Sequence, residues 1–76
     1  MPTFHYTVDD EPQTTEAHEL TPTQILSNAK IDPANHYLIQ IEGQHRTSHQ
    51  GKPDEAIHMH NHMVFISVST GPTPVS

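Results

Sequence analysis

The stretch T-P-T-Q-I-L-S-N-A-K-I, Thr21 to Ile31, constrains the fold most, because it alone combines a helix start, an apolar stripe and a stop. Thr21 can accept from a free amide of the first turn, and Pro22 fits the first helical position, where no N–H is needed. Gln24 stands three residues on, as a capping box requires. Ile25, Leu26 and Ala29 fall at spacings of three and four and predict one apolar stripe. Asp32-Pro33 disfavours continuation, since the residue before proline avoids the helical region. The predicted helix thus covers Thr21 to Ile31, about three turns. So short a helix is marginal alone in water, so its stripe must pack on something, and the flanking sequence offers only strands.

Thr3 to Val8 alternates, with Phe4, Tyr6 and Val8 on one side, the period of a half-buried strand. Asp9-Asp10-Glu11-Pro12 reads as a turn, because Asp favours local side-chain to backbone bonds and Pro12 cannot donate to a ladder. Gln13 to Leu20 is polar and Thr-rich and is expected to be the return strand of a hairpin. After the helix, Y-L-I-Q-I-E, Tyr37 to Glu42, is the strongest strand pattern. Tyr37, Ile39 and Ile41 are expected on its core face, with Leu38 and Gln40 pointing the other way. Gly43 to Glu55 reads as a long loop with a short edge strand near His45–Ser48. M-V-F-I-S-V, Met63 to Val68, reads as a central strand covered on both sides. The first strand and this last one are the natural central pair, running parallel in a mixed sheet with the helix across one face. From Thr70 the prolines and glycine of T-G-P-T-P-V-S predict a flexible tail, giving one domain over residues 1–70 and a tail over 71–76.

The totals agree with a single modest core. The chain has 76 residues, no Cys and no Trp, and its hydrophobic residues are 32%, so neither disulfides nor thiolate metal sites supplement packing, and a stability of a few kcal/mol is expected. Lys30, Arg46 and Lys52 face nine carboxylates, for a net charge of −6 with neutral histidines. That balance argues against a nucleic-acid backbone as partner. It favours a basic face on a partner protein, or simply keeps a small domain soluble. No run of about 18 apolar residues exists, and M-P-T-F-H lacks the regions of a signal peptide, so a cytoplasmic protein without membrane contact is expected.

The order hairpin, helix, strand, long loop, strand and tail resembles ubiquitin and its relatives in the β-grasp fold. Within that group the chain is most similar to the small bacterial ubiquitin-like proteins of the multiubiquitin type, through L-T-P-T-Q-I-L-S-N-A-K-I-D-P, then Y-L-I-Q-I-E-G, then M-V-F-I-S-V. The likeness runs from Phe4 to Gly71 and rests on architecture and apolar pattern. It implies an α+β ubiquitin-like β-grasp domain, with a mixed four- to five-stranded sheet and one helix packed across it. It also implies a protein modifier whose C-terminal carboxylate is adenylated and passed to a target amine. The implied partners are activating and conjugating enzymes and a deubiquitinase-like peptidase. The conjugation tail would be Thr70, Gly71 and Pro72. Here the chain departs from the Gly-Gly end of ubiquitin and the sulfur carriers, having one glycine followed by Pro72-Thr73-Pro74-Val75-Ser76. Either a peptidase exposes Gly71, or the chain ends naturally at Ser76 and activation differs or is lacking. Relatives with this fold dock partners on the sheet face opposite the helix, where Leu38 and Gln40 would then lie.

His58, His60 and His62 form the most conspicuous local pattern. In an extended segment neighbouring imidazoles of this row stand about 6–7 Å apart, close enough for two to share a divalent metal. On the plainer reading Ile57 and Met59 face inward, the histidines face water, and Asn61-His62 makes a turn. His45 and His49 in the long loop could add ligands, though their spacing fits no motif. An unperturbed histidine titrates near pH 6.5, so with eight of them acidification is expected to move the charge from −6 to about +2. No serine sits in a nucleophile elbow, and Asp9-Asp10 and Asp54-Glu55 read as turn residues, so no enzymatic activity and no cofactor are expected. The expected protein is a monomeric modifier. The alternatives are a non-conjugated histidine-rich metal-binding or protein-interaction module, and a sulfur carrier, which would need a terminal glycine.

Overall fold

The computed structural model describes residues 2–52 and 54–70. Its elements are β1 (Phe4–Val8), β2 (Glu11–Thr15), β3 (Glu19–Leu20), α1 (Pro22–Asn28), β4 (His36–Glu42), β5 (His45–Ser48), β6 (Ile57–His58) and β7 (Met63–Ser69). The five-stranded sheet has the order β2-β1-β7-β4-β5. β1 runs parallel to β7 and all its other neighbours are antiparallel. With one helix across it, this is the α+β arrangement of β-grasp folds.

The β1–β2 hairpin turns at Asp9 and Asp10, both at positive φ, 52° and 68°. Two central residues of that hand make the turn twist with the strands, and Asp tolerates the conformation better than most side chains. Asp9 also extends β1. Its amide donates to Phe65 O at 3.0 Å. Its carboxylate accepts from Ser67 N at 2.8 Å and from Ser67 Oγ at 2.6 Å. The polar segment after it is two strands rather than one. β2 begins already at Glu11, inside the expected turn, and Pro12 is tolerated because β2 is an edge strand. β3 leaves the main sheet and pairs with β6, Leu20 opposite Ile57.

The capping box forms as the sequence predicts: Gln24 N donates to Thr21 Oγ1 at 3.2 Å and Thr21 N donates to Gln24 Oε1 at 2.9 Å. The helix is shorter than predicted, ending at Asn28 rather than Ile31. Pro33 is not the stop. Lys30 takes a left-handed φ of 64°, and the amides of Lys30 and Ile31 donate to Ser27 O and Leu26 O at 3.0 and 2.9 Å. These are the two bonds of a Schellman motif, with Lys where glycine is usual. Ile31 packs back on the core as the motif's apolar contact.

The core lies between α1 and one face of the sheet: Tyr6, Val8, Ile25, Leu26, Leu38, Met63 and Phe65, closed at one end by Leu20, Ile57 and Met59. Tyr6 meets Phe65 edge to face, centroids 5.9 Å apart at 86°. The Tyr6 hydroxyl is buried without a hydrogen-bond partner among the described residues. Burial pushes its pKa above the usual 10.0, while the Asn28 side chain, near but outside hydrogen-bond geometry, draws it partly back. An unpaired buried hydroxyl is a net cost, so Tyr6→Phe is expected to stabilise the domain by about 1 kcal/mol, roughly 4–8 °C in melting temperature. A melting temperature lowered by the substitution would show that the hydroxyl is paired in solution.

β4 faces opposite to expectation. Leu38 is fully buried beneath the helix, and Tyr37, Ile39 and Ile41 lie on the other face, each only partly buried. β7 is covered on one side, not two: Met63 and Phe65 are buried, whereas Val64, Ile66 and Val68 are partly exposed.

Candidate partner-binding face

Pairing of the two central antiparallel strands assembles the open face. Tyr37 stands opposite Val68, Ile39 opposite Ile66 and Ile41 opposite Val64. Directly opposed residues share a face, so these six apolar side chains form two adjoining rows on the side away from α1. Register carries the face outward to His5 and Thr7 on β1, Pro12 and Thr14 on β2, and Arg46 and Ser48 on β5. None of the nine carboxylates of the chain holds a strand position on it. Glu11 and Glu42 point to the helix side, opposite Val8 and His45. In a chain of charge −6, this face is apolar at its centre, and among the described residues its strand positions carry no acid, the ionisable groups on them being Arg46, His5 and the Tyr37 phenol. A contiguous apolar patch of this kind marks an interaction surface more often than scattered exposed residues do.

Leu38 and Gln40 are therefore not on this surface. Leu38 is core, and Gln40 lies on its side of β4, where Gln40 Oε1 is 3.4 Å from His49 Nε2. The face exists where the docking surface was expected, but with the other set of β4 residues on it. Of the expected conjugation tail, Thr70 is exposed at the end of β7, and its amide donates to Asn35 O at 2.8 Å. Gly71 and Pro72, with the rest of the expected tail, lie outside the described residues.

The three alternating histidines do not stand in a row. His58 belongs to β6 and pairs across to Glu19, Nε2 to Oε2 3.4 Å, with both side chains well exposed. His60 lies beyond the strand, its amide donating to Met63 Sδ at 3.1 Å. Asn61 and His62 form the turn of the plainer reading, with His62 at φ 68°. That turn is pinned to β1: His5 N donates to Asn61 Oδ1 at 2.9 Å, and His62 N donates to His5 O at 2.7 Å. Among the described residues no three His, Asp or Glu converge on a metal-sized site. No helix among them is long and apolar enough to cross a membrane.

Spacing does not single out the one histidine with a distinct environment among the described residues. His49 is the buried polar residue of the domain, 8% exposed among the described residues. The period-two pattern of β5 continues through it and turns it inward, a signal hidden by the loop-like composition around it. No family model matches the chain; neither does any curated protein or solved structure.

Proposed function

We propose that this chain is a ubiquitin-like protein modifier of the bacterial kind, recognised through its open sheet face and attached through the residues that follow Thr70. The observation that carries the reading is the pairing of an open apolar face, free of carboxylates, with a last strand that is central in the sheet. That strand delivers Thr70, exposed, to the sheet's end. Attachment would consist of adenylation of a C-terminal carboxylate by an activating enzyme, then transfer to an amine of a target, with a peptidase exposing Gly71 beforehand. A glycine suits that step because a residue without Cβ lets backbone approach closely. The proposed role is non-enzymatic: the chain supplies a surface and a terminus, and its partners supply the chemistry.

The second reading, a protein-interaction module that never enters conjugation, is favoured by the same face taken alone. Intact mass of the protein recovered from its native host separates the two. A species ending at Gly71, or adducts joined through that residue to lysine, is the expected result. Recovery of only the free, unmodified chain under every growth condition would overturn conjugation and leave the interaction module.

A further inference from the structure

Among the described residues between β5 and β6, His49 alone is buried against the domain, and Gln50 is tied only back to the strand end, its amide donating to Ser48 Oγ at 3.2 Å. Every described residue from Gln50 to Ala56 is exposed, and His49 alone turns inward. The His49 amide continues the β4–β5 ladder by donating to Leu38 O at 2.8 Å, and its carbonyl accepts from Lys52 N at 3.1 Å. Among the described residues its Nε2 has only the long 3.4 Å contact with Gln40 Oε1, beyond the usual range of a strong hydrogen bond. The Gln40 amide is engaged on its other side, donating to Glu42 Oε1 at 2.9 Å. The imidazole forms part of the wall of a cleft of about 200 Å³ shared with Pro22, Leu26, Pro33 and Leu38. A neutral ring suits that apolar wall. An imidazolium there would have given up its water for a single long hydrogen bond.

We infer that His49 is a proton-operated latch: protonation of its imidazole releases residues 49–52 from the core and opens the cleft between α1 and β4. This inference is independent of conjugation. The titratable and charged groups around the latch are few. The loop contributes Lys52 and Glu55, β4 contributes His36 and Tyr37 at the cleft and Glu42 behind Gln40, and α1 presents Pro22, Thr23 and Leu26, none of which titrates.

Burial holds His49 below its ordinary value of 6.5, with the Glu55 carboxylate pulling it up and the Lys52 ammonium pushing it further down. A base so depressed binds fewer protons in the closed state than in the open one. Its contribution to closure is complete above pH 6.5 and is lost as pH falls from there through the closed-state value. Within that window the closed-to-open ratio changes by up to about tenfold per pH unit.

The test is amide hydrogen exchange on the full chain, read by NMR between about pH 7.5 and about pH 5.5 with the intrinsic rate divided out. Protection at the His49 and Lys52 amides is expected to fall, by up to about tenfold, while the β4–β7 ladder keeps its protection. His49→Phe should remove the fall. Should that variant not fold, two exposed positions keep the test sharp. Lys52→Met removes a like charge and moves the opening to higher pH, and Glu55→Gln moves it to lower pH. Protection at His49 that does not change with pH, or a loss shared by the whole sheet, would overturn the latch. So would a transition indifferent to both charge variants.

Discussion

Leu38→Ala will leave this domain largely unfolded at room temperature, and Ile39→Ala, one residue along, will leave it folded. Leu38 has no exposure and packs among Leu26, Phe65 and the rest of the buried cluster. Removing its branched end costs about 2–5 kcal/mol through lost burial and the cavity left behind. A core of this size supplies only about 3–5 kcal/mol in total. Ile39 lies on the open face beside Ile66, where truncation removes a half-exposed contact and costs about 1 kcal/mol or less. Urea denaturation followed by circular dichroism measures both. Equal losses, or a larger loss at Ile39, would mean that β4 packs in solution with its other face inward.

The second large effect is expected at Asp9. Asp9→Ala removes both acceptors of Ser67 and places an alanine at φ 52°. A charge-assisted pair of bonds, discounted for an exposed carboxylate, is worth about 1–2 kcal/mol, and the left-handed backbone adds about 1 kcal/mol for Ala. The sum, about 2–3 kcal/mol, is most of what so small a domain has. Two companions divide the loss: Asp9→Gly keeps the backbone relaxed and forfeits only the bonds, while Asp9→Asn retains an acceptor for Ser67 N and a donor for Ser67 Oγ. The expected order of stability is wild type, Asn, Gly, Ala. If Asp9→Gly matched the wild type in thermal unfolding, the carboxylate would have no part in fastening β1 to β7.

What could be read from the residues follows from how local each signal is. The capping box, the alternation of Phe4, Tyr6 and Val8, and the edge strand at His45–Ser48 depend on neighbours within a few positions, and each is found where the pattern puts it. The true helix stop is not legible, because a left-handed lysine leaves no mark in sequence, while Asp32-Pro33 marks a stop conspicuously. The facing of β4 is a different matter. Y-L-I-Q-I-E has apolar residues on both sides, three against one, and counting puts the three inside. The choice is made by register with β7, which sets Gln40 against Phe65 and Ile39 against Ile66, and by the inward turn of His49, which gives Gln40 a polar neighbour. Both are contacts between distant parts of the chain. The misreading therefore fell on the candidate site itself, since a strand apolar on both sides is what an open docking face requires.

The parallel pairing of β1 with β7 has a consequence for biosynthesis. Asp9 and Ser67 are 58 residues apart, so the first strand leaves the ribosome long before the strand that completes it. At about 5–20 residues per second, β1 and its hairpin wait roughly 3–12 s with one edge unpaired and the faces of Tyr6 and Val8 uncovered. Vectorial folding cannot proceed here by finishing one part and adding the next; the sheet closes only when β7, its middle strand, arrives. Until then, chaperone occupancy is expected to centre on the nascent N-terminal hairpin.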